Sequence, residues 1–130
     1  MDDGQKIQER EFKIQILEQQ IVQVQKQLQQ LENQLMELEI TKDSINELKK
    51  SKKGDEMLSM LSPGIFVKTN LSDNEDVIIN VGANVAVKKK TGEAKEMINE
   101  QIEDIKGIQT QLMIDMQKLS GAIVRLEEEG

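Results

Sequence analysis

The stretch IQILEQQIVQVQKQLQQLENQLMEL, residues 14–38, decides the fold. Its apolar residues Ile14, Leu17, Ile21, Val24, Leu28, Leu31, Leu35 and Leu38 follow one another in alternating steps of three and four. That is a heptad seam with successive a and d positions filled. A lone globular helix would show a wider apolar stripe that drifts at period 3.6. Working outward, Ile7 and Ile45 extend the seam. It fails at both ends, with Arg10 at a d position and Lys42, Lys49 and Lys52 at a and d positions. The middle is therefore expected to be the best-zipped part. Residues 1–53 contain eleven Gln, no Pro, nine bases and ten acids. At about 1.5 Å per residue the helix would run roughly 70 Å. Lys49, Lys50, Lys52, Lys53 and Gly54 read as its C-terminus, since cations suit that end of the macrodipole and Gly favours the position just past it.

Residues 92–130 carry a second seam. Ile98, Ile102, Ile105, Leu112, Met116, Leu119, Ile123 and Leu126 share one a/d register, with Gln109 the one polar member between Ile98 and Leu126. Thr91 is a candidate N-cap, with Glu93 and Glu96 in the first turns. Gly107 and Gly121 each cost about 1 kcal/mol relative to Ala, so this helix is the weaker.

Between the helices, residues 54–91 change period. Leu58, Ile65, Val67, Val77, Ile78, Ile79, Val81, Val85 and Val87 are apolar or β-branched. Ser62-Pro63-Gly64, Ser72-Asp73-Asn74-Glu75 and Gly82-Ala83-Asn84 are turn chemistry. Four strands are expected, at about 57–61, 65–71, 76–81 and 84–90, with the last two forming a tight hairpin. The first two would join across Ser62-Pro63-Gly64. The type of that turn stays open, because a Pro-Gly type II turn splays hairpin strands.

Composition narrows function. The chain has 130 residues with no Cys, His, Trp or Tyr and two Phe, Phe12 and Phe66. Disulfides, thiolate or imidazole metal sites, and triads built on His or Cys are excluded. No catalytic, cofactor or metal residue is expected. Asp73, Glu75 and Asp76 lack the spacing and Gly of a calcium loop. Thr91-Gly92-Glu93-Ala94-Lys95 lacks the ending of a phosphate loop. A net charge of -7 argues against sequence-independent nucleic-acid binding. No run of about 18 apolar residues suggests a membrane span. Met1-Asp2-Asp3-Gly4 does not read as a secretory signal, so a soluble cytoplasmic protein is expected and the Asn70-Leu71-Ser72 sequon carries no weight.

Helix, strands, helix returns the chain on itself: an antiparallel two-helix coiled coil joined by two β-hairpins, mainly α with a small β insert. The first helix is the longer, so residues 1 to about 13 are expected to overhang the second. Isolated hairpins are marginal in water and carry open edges. With so few aromatics to build a core, these hairpins are expected to pair with hairpins of other subunits. The oligomerisation residues would be Ile65, Val67, Val77, Ile79, Val81, Val85 and Val87.

The chain resembles the prefoldin family, and within it the two-hairpin archaeal alpha type. The resemblance is carried by Ser62-Pro63-Gly64-Ile65-Phe66-Val67-Lys68-Thr69, by Asp76-Val77-Ile78-Ile79-Asn80-Val81-Gly82-Ala83-Asn84-Val85-Ala86-Val87-Lys88, and by Glu93-Ala94. It implies an ATP-independent chaperone without cofactors. Two alpha and four beta subunits would form a heterohexamer around a β-barrel hub. Its coiled-coil tips would bind unfolded polypeptides and deliver them to a group II chaperonin. On that reading, client contact is expected at Ile7, Phe12, Ile14, Ile123 and Leu126, where the seam fails and polar neighbours keep an apolar tip soluble. The plainer alternative for these five is a frayed helix start and ordinary seam packing. Met57, Met60, Met97, Met113 and Met116 read as packing filler before they read as a client surface. Lys88-Lys89-Lys90 reads as a charged strand end that discourages edge pairing, and Glu127-Glu128-Glu129 as a solvated end. The competing function is a structural coiled-coil spacer or tether without client binding, which would need no β hub.

Overall fold

The structure is a computed structural model that describes residues 2–129; Met1 and Gly130, which the expected helical segments include, lie outside the described residues. Helix α1 spans Asp2–Lys50, followed by strands β1 (Glu56–Ser62), β2 (Ile65–Asn70), β3 (Asp76–Asn80) and β4 (Ala86–Lys90), then helix α2, Thr91–Glu128. The contacts divide the chain into two units. One joins α1 up to Met36 with α2 from Glu103 onward, and the other runs from Glu37 to Ile102.

In the first unit the heptad prediction can be read directly from burial. Ile14, Leu17, Ile21, Val24, Leu28, Leu31 and Leu35 of α1 are half-buried, as are Ile105, Gln109, Leu112, Met116, Leu119, Ile123 and Leu126 of α2. The other α1 residues between Ile14 and Leu35 are exposed, so on α1 only the a and d positions are covered, while on α2 Asp115, Gly121 and Ala122 beside the seam are half-buried as well. The helices meet antiparallel, since Glu32 of α1 faces Gln109 of α2 whereas Ile7 and Arg10 share a groove with Leu126. Gln109 fills its polar seam position by donating Nε2–H to Glu32 Oε2 at 3.2 Å.

The second unit holds the buried core, Thr91, Ala94, Ile98 and Ile102 on the first turns of α2. On α1 here Leu38, Lys42, Ile45 and Leu48 are half-buried, while Lys49 is exposed. The seam thus leaves the strict heptad at the helix end, where a leucine one residue away is covered and the ammonium of Lys49 stays in water. The Lys49 Nζ lies over Gly92, 3.9 Å from the point where a Cβ would stand.

The helix ends three residues before the expected limit. Ser51 closes it with Ser51 N–H to Leu48 O (3.1 Å) and Ser51 Oγ–H to Glu47 O (3.0 Å). Gly54 therefore does not cap α1. Its φ of 91° turns the chain so that Gly54 N–H meets Leu71 O and Leu71 N–H meets Asp55 O, which starts the first hairpin. The connection between hairpins is tied to both helices by Asn74. Its Nδ2–H donates to Ser51 O at 2.7 Å, and its own carbonyl accepts the Thr91 hydroxyl at 2.8 Å. The hydroxyl expected to cap α2 thus binds the loop, and Thr91 N–H donates to Glu75 O at 2.8 Å.

The strands form two separate two-stranded antiparallel sheets, β1 with β2 and β3 with β4. In the first, Met60 pairs with Phe66 and Ser62 with Ile65, leaving Leu61 as a bulge. Gly64 has φ 85°, as the third residue of a type II turn needs, and the bulge absorbs the splay that such a turn imposes. In the second hairpin the strands stop earlier than expected, at Asn80 and Ala86. Val85 N–H donates to Gly82 O at 2.9 Å, and Ala83 and Asn84 have φ of 50° and 61°. Two positive φ values between hydrogen-bonded ends mark a primed hairpin turn, which Asn tolerates and Ala does not favour. At the open end, Asp76 accepts from Lys88 Nζ at 3.5 Å and Lys90 Nζ at 3.2 Å. The hydrogen bond from Lys90, helped by both positive charges, holds the Asp76 carboxyl below the ordinary value, and Asp76 raises Lys90.

Three outcomes follow. Ala83→Gly, which relieves a left-handed alanine, is expected to stabilise the fold by about 0.5–1 kcal/mol in urea unfolding. Asn74→Ala orphans the Ser51 carbonyl and is expected to destabilise by about 1–3 kcal/mol in the same measurement. The lowered Asp76 value adds stability that is present above its unfolded pKa of about 4 and is lost as pH falls further. The raised Lys90 value adds stability that is present below its unfolded pKa of about 10.4 and is lost as pH rises beyond it. Asp76→Asn should flatten both limbs of a melting-temperature profile against pH.

Candidate functional site

Each unit presents one candidate surface. In the first, α1 starts alongside the close of α2. Asp3, Lys6, Ile7, Glu9, Arg10 and Lys13 of α1 line a groove with Leu126 of α2 and Glu129 just past its end. The last turn of α2 thus reaches the stretch expected to overhang, and Ile7 shares this groove with Leu126. Arg10 at its d position is half-buried, so its stem lies in the seam. Ile7 remains 45% and Phe12 63% exposed. Phe12 sits on the outward face of the helix, away from the seam. Ile14, Ile123 and Leu126 are half-buried seam residues. The five residues expected to meet a client therefore divide into two that are exposed and three that already pack.

In the second unit the site is built by strand pairing. Register puts Leu58, Met60 and Phe66 on one face of the first hairpin, with Glu56 and Lys68 at its open end, 3.9 Å apart. Met57, Ser59, Val67 and Thr69 share the other face, where the Ser59 and Thr69 hydroxyls meet at 2.7 Å. In the second hairpin Val77, Ile79, Val87 and Lys89 share one half-buried face. Ile78 stands on the opposite face beside Asp76, Lys88 and Lys90, and is 70% exposed. Of the seven expected oligomerisation residues, Ile65, Val67, Val81 and Val85 are exposed. Val77, Ile79 and Val87 form one half-buried row.

Sequence reasoning left out five residues of this surface, Leu58, Met60, Leu61, Phe66 and Ile78, all more than half exposed. The signal was present. Apolar residues fall on both parities of β1 and β2, and a strand apolar on both faces needs cover on both. Large apolar side chains exposed together on short strands mark an interface. Among the described residues no group of acidic side chains could hold a metal ion, and no helix is long and apolar enough to cross a membrane.

Comparison with known proteins agrees with this architecture. The family model described as Prefoldin subunit matches residues 17–130. Prefoldin subunit alpha of Thermofilum pendens is 28% identical over 74 residues, 57% of each chain. Prefoldin subunit alpha of Methanobrevibacter smithii is 32% identical over 66 residues, 51% of this chain and 45% of the relative. Prefoldin subunit 5 of Homo sapiens is 37% identical over 62 residues, 48% of this chain and 40% of the relative. The chain thus spans about half the length of the curated relatives it matches. In fold it is similar to a chain from the cryo-EM structure of filamentous PFD from Methanocaldococcus jannaschii, with a TM-score of 0.80, 19% identity, and coverage of 91% of this chain and 98% of that one. Two heptad helices joined by two antiparallel hairpins, together with a family match over most of its length, mean that the chain belongs to the prefoldin family.

Proposed function

We propose that this chain is the alpha-type subunit of an ATP-independent cytoplasmic chaperone. Its hairpins join those of beta-type partners, two alpha with four beta, in a β-barrel hub. Its coiled-coil ends hold unfolded polypeptides and pass them to a group II chaperonin. The observation that carries this reading is the exposed apolar surface of two hairpins that a single chain leaves without cover. Full burial of one Val, Leu, Ile, Phe or Met side chain is worth roughly 1.5–3 kcal/mol, whereas an exposed ion pair is worth about 1 kcal/mol or less. Apolar burial at the hairpins therefore drives assembly. A spacer needs only its helices.

Holding calls for the opposite property, apolar surface that stays open without aggregating. Phe12 and Ile7 supply it, set among Gln8, Glu9, Arg10 and Glu11. Each contact is weak, so retention depends on several arms gripping one client. Removal of residues 1–13 is expected to abolish suppression of client aggregation, while light scattering of the complex with its beta-type partner stays unchanged. Full holding after that truncation would refute the assignment to this end. Phe12→Ser is the milder test and should weaken suppression severalfold without changing helix content by circular dichroism.

A further inference from the structure

With no Cys, His, Trp or Tyr, the chain offers a mild oxidant one kind of reactive side chain, the thioether of its seven Met. Met36, Met57, Met60 and Met113 are exposed, and Met97 and Met116 are half-buried. Of these, Met116 stands in the seam of the first unit. From Ile14 to Leu35 and from Ile105 to Leu126, every seam member except Gln109 and Met116 is Ile, Leu or Val. Met116 also lines an open groove of about 790 Å³ beside the seam, with Met113 one turn away and with Leu28, Gln25, Gln29 and Gln117. Hydrogen peroxide is little larger than water, whose share of liquid volume is about 30 Å³, so it enters this groove. Three carboxamides border the groove, and each carries N–H donors.

We propose that Met116 is an oxidation site, and that its sulfoxide opens the seam of the first unit. The thioether sulfur attacks one oxygen of hydrogen peroxide and the O–O bond breaks. The transferred hydroxyl gives its proton to the departing hydroxide, which leaves as water. Sulfur is oxidised to the sulfoxide and the peroxide is reduced. A sulfoxide oxygen is a polar acceptor, and leaving it unpaired against apolar side chains such as Leu28 is costly. The amides of Gln25, Gln29 and Gln117 offer donors on the groove side. The oxidised side chain therefore turns outward, and the seam loses apolar contact in its middle. Met113 differs, because it lies outside the seam and is already 58% exposed. Its oxidation leaves the seam intact. One consequence rests on the client-holding reading above: an open seam bares more apolar surface, so peroxide raises holding.

The full chain is treated with hydrogen peroxide, desalted, and mapped by peptide mass. Met116 is expected to gain one oxygen in the folded protein. A helix without its partner is marginal, so its backbone becomes open to a protease. Initial tryptic cleavage at Lys26 and Lys118, measured against cleavage at Lys95, should rise about tenfold after oxidation. Met116→Leu, a swap that cores tolerate, should abolish the rise although the other Met are still oxidised. Met113→Leu should keep it. Methionine sulfoxide reductases with a dithiol should reverse it. A Met116 that stays unoxidised while the exposed Met convert would overturn the site. An equal rise in Met116→Leu would overturn the role of this sulfur in the seam. Oxidised parent chain is expected to suppress client aggregation severalfold better than oxidised Met116→Leu. Faster cleavage without better suppression would overturn the holding consequence and leave the oxidation site standing.

Discussion

One residue holds the return of the chain. Asn74 donates its side-chain Nδ2–H to the carbonyl of Ser51 and accepts the hydroxyl of Thr91 on its backbone carbonyl. The end of α1, the loop between the hairpins and the start of α2 are thereby fixed to one another. Thr91 is 3% exposed, so its hydroxyl must find a partner within the protein. Ala94, Ile98 and Ile102 follow it into the small core at intervals of three and four, and the direction of α2 is set by that placement. The two hairpins leave from either side of this tie, each anchored at its open end by backbone bonds, Gly54 to Leu71 and Thr91 to Glu75.

The division of labour follows from burial. The hairpins are too thin to cover their own apolar side chains, and the helices are paired along a narrow seam. One part is unfinished alone and the other is finished but loosely held. A family whose members are named as subunits fits a chain built in this way.

Much of this could be read from residue order because it rests on period. The seam from Ile14 to Leu38 and its counterpart from Ile98 to Leu126 needed only the three-four spacing, and every member of both is at least half-buried. Strand positions followed from β-branched runs between turn residues. What escaped was set by competition between neighbours or across long separations. The choice of Leu48 over Lys49 depends on desolvation at the helix end. Gly54 looked like a helix cap because it follows a lysine cluster, but a hairpin partner at Leu71 claimed its N–H. The bulge at Leu61 reconciles Pro63-Gly64 with a hairpin, a compromise that no local rule announces. Asn74 to Ser51 spans twenty-three residues, so no local pattern reveals it. At the start of α1, the failure of the seam was legible in Arg10 at its d position. The proximity of Leu126 to Ile7 was not, because it depends on where α2 stops.

Burial is unequal between the two units. All four fully buried residues, Thr91, Ala94, Ile98 and Ile102, lie between Glu37 and Ile102, and the described residues of the other unit include none. Free energies of opening scale with such contacts, so the two regions will not melt as one. Amide protons between Ile14 and Leu35 and their α2 counterparts are expected to exchange through local openings of lower free energy than those around Ala94. Within the first unit, each transient parting of the seam uncovers Leu17, Leu28, Leu31 and Leu35 of α1 together.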